Sequence, residues 1–185
     1  MATRMTLARR AAAVSGLLLV AALILAACGA GAGTASIQAE APSPTRAVSP
    51  SVTATAAAIG QVLSAAGLAT APAQVPFRPG ESPSLAAAPR EVVQAILPTD
   101  QVHGMIVIYD FPDAGAALAA GNEMAAYLKA GPGRVQFVPD SIHTLRQVGS
   151  TLVFFTWSPA NSPDPRTAGI ATALDTLGTG IPIVR

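Results

Sequence analysis

Residues 11–27 form an unbroken run of apolar and small side chains that succeeds Arg4, Arg9 and Arg10 and ends on Cys28, the only cysteine of the chain. Nothing else in the sequence constrains the fold as strongly. A basic start, a short apolar stretch and small residues at its end mark a secretory signal that is cut from the mature protein. The fold must then be built from residues beyond the run. At 17 residues the run is shorter than the roughly 20 that cross a bilayer core, and much of it is alanine, so a signal peptide is favoured over a permanent span. No basic residue occurs after it until Arg46, which leaves the positive charge on the cytoplasmic side and exports the remainder. With a single cysteine, neither a disulfide nor a thiolate metal site is available within one chain. Stability has to come from an ordinary apolar core.

The sequence Leu25-Ala26-Ala27-Cys28 resembles the bacterial lipobox. The resemblance implies that Cys28 becomes the mature N-terminus and carries a diacylglycerol on its thioether, a palmitate-type lipid anchor. Stable anchoring takes two signals, and a pair of acyl chains meets that requirement. It also implies a lipoprotein held on the extracytoplasmic face of a membrane, in the cell envelope. Gly29 stands after the cysteine where an Asp would argue for retention at an inner membrane.

Residues 28–50 are mostly Ala, Gly, Ser, Thr and Pro with few bulky apolar side chains. Such a segment cannot bury enough surface to offset its ordering entropy and is expected to be a disordered tether. Beyond Cys28, eight basic residues stand against ten acidic ones, a formal charge of −2. That balance argues against an electrostatic nucleic-acid partner, which would need a basic face.

The expected organisation is therefore a signal peptide over 1–27, the lipidated cysteine and tether over 28–50, and one domain over 51–185, a normal size for one core. Val52, Ala56, Ile59, Val62, Leu63 and Ala66 recur at helical spacing, with Ser51 or Thr53 able to cap and Gly67 to stop the helix. Residues 71–89 are rich in Pro and Ala, although Val75, Phe77 and Leu85 tie parts of them to the domain. Residues 90–97 suit a strand or a short helix. Residues 103–111, around Met105-Ile106-Val107-Ile108-Tyr109, are the clearest strand. If 90–97 is extended, the two make a hairpin. Ala114, Leu118, Gly121, Ala125 and Leu128 form a helical stripe opened by Asp113 and closed by Gly131-Pro132-Gly133. Residues 134–138 suit a short strand. Residues 142–148 and 151–157 suit a hairpin turning on Gly149-Ser150. A last helix starts with Asp164 as N-cap and Pro165 at its first position. The predicted fold is α+β, an antiparallel sheet of four to five strands with about three helices packed on one face.

This order of elements, with Pro76-Phe77, Tyr109-Asp110-Phe111, residues 143–149 and Leu177-Gly178, resembles a group of bacterial envelope lipoproteins without an assigned activity. The resemblance implies fold and location and carries no chemistry with it.

Chemical signals in the sequence are sparse. His103 and His143 lack the companion ligands and clustered spacing of a zinc site. No Gly-x-Ser-x-Gly elbow accompanies Ser141 and His143. No metal or cofactor is expected. Asp110 and Asp113 flank a strand-to-helix junction, where helix capping is the simpler role. Arg134 and Arg146, placed on successive strands, could meet an anionic ligand or pair with Asp110 or Asp140. Trp157, with Phe154, Phe155 and Tyr109, could fill a core or present an aromatic face to a partner. The expected function is a membrane-anchored, non-catalytic binding or accessory module of the envelope with another envelope component as partner. Asp110, His143, Arg146 and Trp157 are its candidate binding residues. The alternative is a small envelope hydrolase with a polar site near Asp110, His143 and Arg146.

Overall fold

The structure is a computed structural model that describes residues 48–183. The signal peptide, the lipobox with Leu25, Ala26, Ala27 and Cys28, and nearly all of the tether lie outside the described residues.

The domain begins with α1 (Pro50–Ala65), then β1 (Thr70–Pro72), α2 (Pro83–Ala87), β2 (Arg90–Ala95) and β3 (Met105–Asp110). Next come α3 (Ala114–Lys129), the single turn α4 (Gly131–Arg134), the hairpin strands β4 (Ile142–Val148) and β5 (Thr151–Trp157), α5 (Thr167–Leu174) and β6 (Thr179–Gly180). The strands form one six-stranded sheet in the order β1-β2-β3-β5-β4-β6, and every neighbouring pair is antiparallel. This is the expected α+β fold, with one strand beyond the expected range.

The sheet is covered on both faces, where the sequence pattern predicts helices on one. Ile106, Ile108, Val153 and Phe155 share one core with Ile59 and Leu63 of α1 and Ile170 and Leu174 of α5. Their neighbours Val107, Tyr109, Leu152 and Phe154 share a second core with Met124 and Leu128 of α3 and Leu85 of α2. Side chains alternate across a strand, so a strand buried on both sides must be apolar without interruption. β3 and β5 are such runs: Ile106–Tyr109 and Leu152–Phe155 are almost wholly buried. Fully burying each such side chain contributes about 1.5–3 kcal/mol, and both layers draw on it.

Local chemistry sets the element ends. Ser49, two residues before the expected cap, accepts the N–H of Val52 at 3.2 Å, and Pro50 occupies the first turn. Asp113 caps α3, accepting the N–H of Ala116 at 2.8 Å. Gly149 takes the φ of +58° that a tight hairpin turn needs. α5 starts at Thr167, later than expected. The Asp164 carboxylate accepts from the Thr99 hydroxyl at 2.8 Å and from the Arg166 guanidinium at 2.6 Å. The Arg166 hydrogen bond holds the Asp164 carboxyl well below the usual carboxylate range, against the opposing effect of burial. Residues 134–138 are not a strand: Arg134 closes α4 and the chain turns before β4. The edge strands β1 and β6 have three and two residues, which limits edge-to-edge pairing.

The sheet has two distinct ends. At the upper end β3 and β4 begin while β2 and β5 finish. At the lower end lies the β4–β5 turn, where the Thr55 and Thr151 hydroxyls meet at 2.8 Å and pin the first half of α1.

Candidate functional site

A cleft of about 430 Å³ opens at the upper end of the sheet, on the α3 face. Its floor and rim come from Leu128 and Lys129 at the end of α3, Arg134 of α4, Phe137 and Val138 of the next loop, and His143 of β4. The chain reaches this arrangement by folding back on itself. Gly133 packs so closely on Tyr127 that a Cβ there would overlap the Tyr127 backbone. That approach brings Arg134 to the same cleft as Lys129. The end of α3 is closed by its own backbone: the Ala130 N–H reaches the Ala126 and Tyr127 carbonyls, and the Arg134 N–H reaches Ala130.

Aromatic contacts and one hydrogen bond set the wall. Phe137 meets the His143 ring edge-on with centroids 4.7 Å apart, and His143 stacks on Phe154 at 6.1 Å. His143 Nδ1 lies 2.9 Å from the Thr156 hydroxyl across the ladder. His143 is thus a fixed part of the cleft wall.

The cleft's charge is the informative feature. Arg78 and Arg90 pair with Glu81, Arg146 with Asp175 and Arg166 with Asp164. Among the described residues, Lys129 and Arg134 alone of the lysines and arginines face no carboxylate. Asp140, the acid nearest to Arg134 in sequence, is engaged elsewhere. Its carboxylate accepts from the Ser158 hydroxyl at 2.7 and 2.8 Å and from the Ala160 N–H at 2.9 Å, which together lower its pKa. Val138 stands exposed on this rim.

The other candidates fall elsewhere. Asp110 registers with Thr151 at the lower end and His143 with Thr156 near the upper end, roughly 16 Å apart along β5 at about 3.3 Å per residue. Arg146, three residues from His143 on β4, projects from the opposite face of the sheet. Its Nε donates to the Leu177 carbonyl at 2.7 Å, and Asp175 lies 3.8 Å away. The grouping of Asp110, His143 and Arg146 that a hydrolase would use is therefore not assembled. Trp157 packs against the α1/α5 core, and its buried Nε1 has no acceptor among the described residues. Arg134 pairs with neither Asp110 nor Asp140, and Arg146 takes Asp175 instead.

Two polar groupings are not legible in the sequence. On the loop joining β2 to β3, His103 Nδ1 lies 2.7 and 2.8 Å from the two oxygens of enclosed Asp100. Beneath α2, Glu81 is enclosed by Arg78, Arg90 and the Tyr109 hydroxyl. Only the three-residue spacing of Asp100 and His103 offers a hint. Among the described residues no group of three or more His, Cys, Asp or Glu side chains could hold a metal ion. No described helix is long and apolar enough to cross a membrane.

Comparison with protein-family models, curated proteins and solved structures finds no match to this chain.

Proposed function

We propose that this chain is an exported lipoprotein, moored outside the cytoplasm through a diacylglycerol on Cys28, whose domain is a non-catalytic binding or accessory module of the cell envelope. The upper cleft is its contact site. The observation that carries this reading is the pairing of an apolar, aromatic-walled cleft with the two basic side chains that have no carboxylate partner among the described residues. The other described arginines are committed to holding the fold, and the residues a hydrolase would need lie apart. The first half of α1, the helix the tether would join, lies at the lower end of the sheet, whereas the cleft lies at the upper end.

The anchor has a direct test. Cys28→Ala is expected to abolish metabolic labelling with a fatty-acid analogue and to move the protein out of the membrane fraction. Continued labelling of the variant would refute the lipobox assignment. Recovery of unlabelled wild-type protein with an intact amino end would refute export and anchoring together.

A further inference from the structure

Resting on that reading of the cleft, we infer that the group it recognises is a small organic carboxylate with an apolar body. The charged end would lie between Lys129 and Arg134, and the body against Leu128, Phe137 and Val138. The cleft volume of about 430 Å³ falls within the roughly 300–1,000 Å³ typical of small-molecule sites. Such sites combine apolar walls with a few convergent polar groups, which is the composition found here.

Three observations select an anion. The surrounding exported chain is net acidic, eight basic against ten acidic residues, yet among the described residues this cleft gathers two cations and no carboxylate side chain. The acid nearest to Arg134 in sequence, Asp140, is held by Ser158 and Ala160, and the acid nearest to Lys129, Glu123, accepts from Ser84. The Ala126 and Tyr127 carbonyls at the end of α3 are met by the Ala130 N–H, so Lys129 is not needed to close them. A guanidinium offers a planar fork that matches a carboxylate, and an ammonium adds a point charge beside it. The apolar floor argues against a bare inorganic anion, which would gain nothing from Leu128 and Phe137.

Titration calorimetry on the full chain in lipid nanodiscs, with empty nanodiscs as the blank, tests this with 3-phenylpropionate as probe. The uncharged amide, the corresponding amine and inorganic phosphate provide the comparison. The acid should bind saturably at one site, with the amide weaker by about tenfold or more, since charge-assisted hydrogen bonds are the strong ones. The amine and phosphate should give no saturable heat. Both Lys129→Ala and Arg134→Ala should weaken the acid by about tenfold while leaving the melting temperature unchanged, because both side chains are exposed. Equal binding of acid and amide would overturn the charge preference while leaving the cleft as a contact site. Variants that lose stability yet bind the acid as the wild type does would make both cations structural and overturn the inference. Absence of acid binding would overturn it outright.

Discussion

Glu81→Ala is expected to remove about 3–5 kcal/mol from the unfolding free energy, because it breaks a pair whose carboxylate is buried and at the same time strips the buried Tyr109 hydroxyl of its acceptor. That is a large part of the roughly 5–15 kcal/mol that holds a domain folded. The Glu81 side chain is only 2% exposed. It accepts the Tyr109 hydroxyl at 2.6 Å, the Arg78 Nε at 3.0 Å and the Arg90 guanidinium, which also lies over the Tyr109 ring. Arg78 and Arg90 both donate in addition to the Ala86 carbonyl, so one carboxylate fastens the segment around α2 to the sheet. Tyr109→Phe should cost less, about 1.5–3 kcal/mol for one hydrogen bond to a charged group. Urea unfolding monitored by the fluorescence of Trp157 measures both. A Glu81→Ala loss below about 1 kcal/mol would mean that this carboxylate is paired as weakly as an exposed one.

The same network sets two limbs of the pH dependence. Burial pushes the Glu81 carboxyl up, but hydrogen bonds from Arg90 and Tyr109 outweigh it and the net shift is downward. Its contribution is therefore complete above about pH 4.3, the unfolded value, and is lost as pH falls through the lower folded value. Burial, and then the hydrogen bond to Glu81, push the Tyr109 phenol well above its ordinary range. Its contribution is complete below about pH 10 and is lost as pH rises beyond, because the unfolded chain ionises first. Glu81→Ala should flatten the acid limb.

Phe154→Ala and Phe155→Ala should each cost about 3–5 kcal/mol, as is usual when an aromatic site in a packed core is emptied. These are adjacent residues on one strand, so they point to opposite faces. Each is 1% exposed, and each belongs to a different core. A sheet covered on one side would give one large and one small effect. Comparable losses are the signature of two helical layers.

The two layers also show where the sequence is readable. Two apolar runs around Gly149 are enough to predict the hairpin of β4 and β5, and an unbroken apolar stretch is enough to predict β3. The same unbroken stretch carries the information about two covered faces, since alternation would have left one side polar. β1 and β6 have no such signal: Thr70-Ala71-Pro72 and Thr179-Gly180 are extended only because a neighbouring strand supplies the ladder. Residues 134–138 resemble a strand in composition, yet the close packing of Gly133 on Tyr127 bends the chain into a turn. His143 stands out in the sequence and lies in the cleft wall. Arg134 reads as an anion partner, but from a strand that does not exist. Lys129 and Phe137 carry no signal because the cleft joins residues whose proximity depends on that turn. Glu81 is hidden in a proline-rich stretch with no periodicity, and two of its partners come from β2 and β3.

The claim that the upper cleft is the working face has one most direct test, site-specific photo-cross-linking of the full chain in its native cells. Val138 at the cleft rim and Leu118 in the first half of α3 are almost equally exposed, 43% and 44%, so accessibility alone cannot separate them. A photo-reactive residue at position 138 should give a discrete envelope adduct that disappears when Phe137→Asp is added, while position 118 gives none. Adducts of equal yield at both positions, or none at position 138, would contradict the account.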